Sequence, residues 1–295
     1  MKILIARSVV LLVLSIIYPQ TVSDYPYTGV GGSASVGTMS VARGGTHSLY
    51  HNPATLVEIS DHIINVGSAE VFGIPYTHIG WINNVKGIGV VGVSSEFSKV
   101  SYKDIVLSKE QRIGISHGFY LQKDRNSSLS VGATLNHFSW TLGPSAGTVG
   151  DGSDGIPGGM SKAWGLDLGV ISVLRKKHRI GAYLKNAISS TIGEGGTEQK
   201  LPKRLSAGIA YNPFDGLMTS FLFERLSNQN IQIKGSINFD INSSVSSIVG
   251  VQSNPNRLGA GLFVKFSRIE IGYALLTHPV LPIVHQTGIT YKFQE

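Results

Sequence analysis

From residue 61 onward the chain repeats one theme: about ten residues of strict apolar–polar alternation, then a turn. In "IQIKGSINFDI", Ile231, Ile233, Ile237, Phe239 and Ile241 share one face with Gly235, while Gln232, Lys234, Ser236, Asn238 and Asp240 share the other. A period of two with one oily and one wet face is a strand between two different media. "RLGAGLFVKF", "RLSAGIAY" and "RIGISHGFYL" repeat it, the last with Ile113, Ile115, Phe119 and Leu121 on one side. Strands are predicted at 61–71, 74–84, 86–97, 110–121, 127–141, 163–174, 178–188, 203–213, 217–227, 229–241, 243–253, 256–267, 268–277 and 284–293, an even number of about fourteen.

The links have a parity. Every link from an even strand to the next odd one is short: Asn83 to Gly87, Gln122 to Ser127, Leu174 to His178, Asn212 to Gly216, Asn242 to Ser243, Phe266 to Arg268. The long links, Ser98 to Glu110, Leu142 to Ser161, Ser189 to Pro202 and His278 to Ile283, have the opposite parity. Short turns on one rim and long loops on the other describe a closed antiparallel transmembrane β-barrel, in which closure pairs every backbone donor inside the hydrocarbon. Only 15% of residues are charged, against about 25% in soluble domains, and 36 of 295 are glycine. Tyr120, Trp140, Trp164, Tyr183, Tyr211, Tyr273, Tyr291 and Phe293 lie near predicted strand ends, as an interfacial aromatic belt requires.

Lys2 and Arg7 precede an apolar run from Ser8 to Tyr18, and Thr21-Val22-Ser23 supplies small residues for cleavage. Residues 1–23 therefore read as a signal peptide. Removing Lys2 and Arg7 leaves 23 basic against 18 acidic residues, so the charge falls from +7 to +5. The basic residues are scattered or sit in turns such as Arg175 to Arg179, which excludes a nucleic-acid groove. With no cysteine, a disulfide scaffold and a thiolate metal site are excluded too.

Residues 24–60 do not alternate; they are rich in small residues and end on "SLYHNPATL". Roughly eight strands already give a barrel that side chains just fill, so a fourteen-stranded one needs a plug, and this glycine-rich segment suits the task. The domain order is thus signal peptide 1–23, plug 24–60 and barrel 61–295. The run leading into Tyr50, Asn52, Pro53, Ala54 and Leu56 resembles the N-terminal signature of FadL-like outer-membrane barrels, and most closely the PorV/PorQ family. That resemblance implies a fourteen-stranded outer-membrane barrel with an N-terminal hatch inside it. It also implies one of two tasks. The first is type IX protein secretion or surface attachment, with cargo proteins or secretion-machinery subunits as partners; the motif spelling is closest there. The second is FadL-like passive uptake of lipophilic small molecules, for which Met39, Val41 and Leu49, with Tyr50 and Leu56, are candidate apolar lining of the hatch.

Enzyme signatures are weak. Gly114-Ile115-Ser116-His117-Gly118 spells a nucleophile elbow inside an alternating strand, where Ser116 and His117 must point to opposite faces. Gly87 to Gly92 spells a dinucleotide fingerprint without a following helix. Gly150 to Gly155 holds Asp151 and Asp154 but lacks the third acidic position of a calcium loop. His47 and His51, four apart, have no third ligand. The expectation is a non-enzymatic barrel in contact with outer-membrane lipid, without cofactor or metal.

Overall fold

The computed structural model describes residues 25–102, 105–145, 147–148, 154–156, 158–193, 198–227 and 229–293; the predicted signal peptide and Asp151 lie outside them. Fourteen antiparallel strands close into one barrel. In chain order these are β1 (His62–Val71), β2 (Ile74–Val85), β3 (Gly89–Tyr102), β4 (Ile105–Lys123), β5 (Ser128–Leu142), β6 (Met160–Leu174) and β7 (His178–Lys185). They continue, after a two-stranded sheet of β8 (Thr191–Ile192) and β9 (Gln199–Lys200), with β10 (Arg204–Tyr211), β11 (Leu217–Leu226), β12 (Gln232–Asp240), β13 (Val245–Gln252), β14 (Arg257–Phe266), β15 (Ile269–Leu276) and β16 (Val284–Phe293). The seam joins β1 to β16 in register from His62 opposite Phe293 to Glu70 opposite His285.

The wall inverts the burial of a soluble protein. Ile115 is 61% exposed and Ile209 56%, while Lys234, Asn136 and Ser116 are fully buried. Apolar side chains face outward around the ring and polar ones face the lumen, as the alternation requires of a wall with lipid outside. No helix among the described residues is long and apolar enough to cross a membrane.

Three expectations change. The link Ser98 to Glu110 is strand, because β3 and β4 keep pairing, Ser98 with Glu110 and Lys99 with Lys109, up to a connection at 103–104. Lys99 and Lys109 break the outward apolar run there, so the hydrophobic period is lost while the backbone ladder continues. The link Ser189 to Pro202 carries β8 and β9, and its Ile192 and Leu201 pack with Phe138 and Ala163. Lastly, Tyr120, Trp140 and Tyr183 face inward rather than into an interfacial belt, because each polar tip finds an interior partner. Tyr183 donates to Asp167 (3.1 Å), Tyr120 to the Val57 carbonyl (3.1 Å) and Trp140 to Ser108 (3.1 Å). Trp164, Tyr211, Tyr273 and Phe293 face outward as expected.

Residues 25–59 fold back against inward positions of strands from all sides of the ring. They form the short helix α1 (Val30–Ala34) and 3-10 turns at Thr38–Ser40, Thr46–Leu49 and Pro53–Glu58. Their close approach is made possible by a belt of inward glycines. Gly118, Gly132 and Gly169 are direct cross-strand neighbours on β4, β5 and β6, and Gly67, Gly288 and Gly272 are neighbours on β1, β16 and β15. At Gly132 an added Cβ would lie 2.5 Å from the Ala54 nitrogen; at Gly259 it would lie 2.5 Å from the Ala34 carbonyl oxygen. Here glycine is needed for want of a side chain, since the neighbour is backbone and cannot yield.

Candidate functional site

The Asn-Pro-Ala motif is a helix start. Asn52 caps the 3-10 turn Pro53–Glu58, its Oδ1 accepting from the Ala54 N–H at 3.0 Å, and Pro53 occupies the first turn, where no amide is missed. The Asn52 amide also donates to the Ser40 carbonyl (2.8 Å) and, at 3.5 and 3.4 Å, to the carbonyls of Val170 on β6 and Ala182 on β7. One side chain thus caps a turn, staples two parts of the segment and ties both to the wall. Ala54 accepts from Ser130 (2.9 Å), and Leu56 packs with Leu49, Tyr50, Ile59, Ile63, Ile82 and Val90.

Buried charges in the lumen are compensated. Arg112 meets Glu96 at 2.7 Å, and Lys234 meets Glu224 at 2.7 Å, with Arg204 3.7 Å from the same carboxylate. Asp167 accepts from Asn136, Tyr183 and the Asn186 N–H. Arg179 on β7 reaches the segment itself, donating to the carbonyls of Val41 (3.0 Å) and Ala42 (2.8 Å) and pairing with Glu58 at 2.6 Å. Glu58 in turn accepts from the Gly44 N–H at 2.7 Å. This clasp joins both ends of the stretch 41–58 to one strand.

Beside the clasp a cavity of about 370 Å³ opens at the rim of short turns. Val30, Met39 and Ala42 of the segment and Met218, Ile248 and Phe263 of the wall give it an apolar lining. Asn238, Asp240, Lys265, Glu270 and Lys292, near the short-turn ends of their strands, give it a polar mouth. Such a volume suits a small organic molecule, and its lining is mixed: Arg43, His47, Glu58 and Asp61 share it with the apolar side chains. Of the residues singled out in the sequence, Met39 and Tyr50 line this space; Val41, Leu49 and Leu56 are packed in the buried clusters around it. Alternation could have found Ile248 and Phe263, since each is an apolar side chain on a face otherwise of polar residues and glycine.

The enzyme-like spellings resolve into packing. Ser116 is buried and bonded to Thr134 (2.8 Å), while His117, on the opposite face, meets the Ile88 carbonyl (2.9 Å). Gly87 and Gly89 shape a turn at positive φ, and Gly92 receives Leu49. Asp154 accepts from the Thr148 N–H (2.9 Å). His51 contacts the Thr28 carbonyl at 3.2 Å.

Burial lowers the pKa of His47 to about 4 and of His51 to about 3, with the charge of Arg179 adding to the effect at His47 and that of His47 at His51. Both are therefore neutral at pH 7. A folded-state pKa below the free value of 6.5 means that the docked segment is fully stable above pH 6.5 and loses stability as pH falls from 6.5 toward 4. Hydrogen exchange of residues 25–59 is expected to accelerate by more than tenfold between pH 7 and pH 4, after correction for intrinsic rates. In the double variant His47→Asn, His51→Asn the acceleration is expected to disappear.

No protein-family model and no curated protein matches the chain. Solved structures do. The CymD monoaromatic hydrocarbon channel superposes with a TM-score of 0.62 at 16% identity, covering 90% of this chain and 98% of that one. The Pseudomonas putida toluene transporter TodX gives 0.59 at 13% identity, covering 90% and 97%. A Pseudomonas aeruginosa FadL homologue gives 0.58 at 12%, covering 91% and 99%. The fold of this chain is therefore that of FadL-like outer-membrane channels.

Proposed function

We propose that the chain is an outer-membrane channel for the passive entry of hydrophobic small molecules, with residues 24–60 as a plug and residues 1–23 as the export signal. The observation that carries this reading is the cavity between segment and wall, with Val30, Met39, Met218, Ile248 and Phe263 in its lining, in a barrel whose fold matches a monoaromatic hydrocarbon channel and a toluene transporter. The reading needs no cofactor and no catalytic residue. The secretion reading, which the motif spelling put first in the sequence, gives way to uptake: it rests on the motif alone, and Tyr50, Asn52, Pro53, Ala54 and Leu56 are all buried. They serve internal packing and offer no surface to a cargo protein.

Expressed in the outer membrane of a heterologous Gram-negative host, the full chain is expected to raise the initial uptake rate of radiolabelled toluene several-fold over an empty vector. Phe263→Asp, which puts a charge into the cavity, should return it close to background. Uptake equal to the empty vector, from a barrel present in the membrane, would reject the channel reading; a stoichiometric protein partner from the native membrane would favour secretion.

A further inference from the structure

The outer wall carries a feature that passage through the lumen does not use. On β3, β4 and β6 a lysine interrupts the outward apolar run on the long-loop side of Phe97, Ile113 and Trp164: Lys99, Lys109 after Gln111, and Lys162, with the exposed Tyr102, Leu107 and Met160 beyond them. All three lysines are exposed. Lys99 and Lys109 stand directly opposite each other across the β3–β4 ladder, and Lys109 leans over the Phe97 ring with its Nζ 5.5 Å from the centroid. Between β4 and β6, β5 contributes only neutral polar groups at this level, Ser139 opposite Lys162 and Thr141 opposite Lys109.

Like charges directly opposite on a ladder repel, and nothing in the wall relieves them. Among the described residues of β3 to β6, Glu96, Glu110 and Asp167 are the only carboxylates, and all fall on inward positions of the register. An apolar band on a β-barrel fixes the level of the lipid headgroups at its edge, and the long loops mark the extracellular side. Three lysines above Phe97 and Trp164 therefore lie where the headgroup phosphates of the outer leaflet lie.

We propose that Lys99, Lys109 and Lys162 form a docking site on the outer wall for a phosphorylated lipid of the outer leaflet, its acyl chains lying along Val93, Ile113 and Leu135 and its phosphate between the lysines of β3 and β4. The site rests on the outer-membrane reading above but not on what the lumen carries. It orients the barrel, pinning the β3–β6 side to the outer leaflet.

The test compares the full chain with the variant K99Q/K109Q/K162Q, both inserted into liposomes and then extracted in a zwitterionic detergent. Each is titrated by native mass spectrometry with a bisphosphorylated acylated glucosamine disaccharide and with its dephosphorylated form. The native chain is expected to bind the phosphorylated lipid at least about tenfold more tightly than the dephosphorylated one, and the variant to lose that preference. Equal binding of the two lipids by the native chain, or an undiminished preference in the variant, overturns the proposal alone. Failure of the native chain to enter liposomes as a barrel overturns the membrane reading and the proposal together.

Discussion

Gly132→Val is expected to undock residues 25–59 from the wall while leaving the barrel closed. The new side chain would start 2.5 Å from both the Ala54 nitrogen and the Pro53 oxygen, and neither can move without carrying the 3-10 turn Pro53–Glu58 with it. On β4 and β6 the flanking positions are Gly118 and Gly169, the first facing Pro53 and Leu56 and the second facing Asn52. A shift sideways therefore meets the wall, and the usual 1–3 kcal/mol of overpacking is a lower bound here. The barrel ladder at Gly132 is backbone pairing and survives. In planar bilayers the variant should give a persistent conductance far above that of the native chain, and proteinase K should cut within 25–59. An unchanged conductance together with a protected segment would show that close approach at the belt is not what holds the segment.

Arg179→Met is expected to release the stretch 41–58 specifically. The substitution keeps an unbranched stem but removes three contacts: two backbone carbonyls lose their donor, and the Glu58 carboxylate loses its partner. Breaking a buried pair from one side costs roughly 3–5 kcal/mol, and Glu58, which borders the cavity, belongs at the low end. Hydrogen exchange at Ala42 to Thr46 should rise by two orders of magnitude or more. Glu58→Gln combined with Arg179→Met should cost less than the sum of the two single changes, because the second removes the charge that the first strands. Strict additivity would mean that the clasp is not an energetic unit.

The wall was legible because lipid outside and polar groups inside impose a period of two that no soluble core would sustain across fourteen strands. Predicted and observed strands therefore agree within a few residues except where a different force takes over. Past Phe97 and Ile113 the ladder continues but Lys99 and Lys109 break the outward apolar alternation, so β3 and β4 outrun their pattern. Tyr183 and Trp140 spell a belt but answer to Asp167 and Ser108, partners that only the closed register brings near. The segment 25–59 has no period to read: local bonds such as the Asn52 cap shape its turns, but what places them is contact with distant strands. The cavity draws on the segment and on strands from β1 to β16, separated in sequence and joined by closure, so only the out-of-place apolar residues Ile248 and Phe263 could have announced it. The glycine belt was visible as composition but not as a ring, because its members align only once the strand register is known.

The seam between β1 and β16 also bears on how such a chain assembles. Pairing His62 with Phe293 closes a loop of 293 − 62 = 231 residues, for which chain entropy alone charges about 5 kcal/mol. The segment already spans the two shores of that gap: Val30 rests on Gly272 and Gly288 of β15 and β16, while Leu49 rests on Gly80 of β2. Docked early, it acts as a mandrel around which the sheet curls, so that the first and last strands meet as neighbours rather than as distant ends of a search.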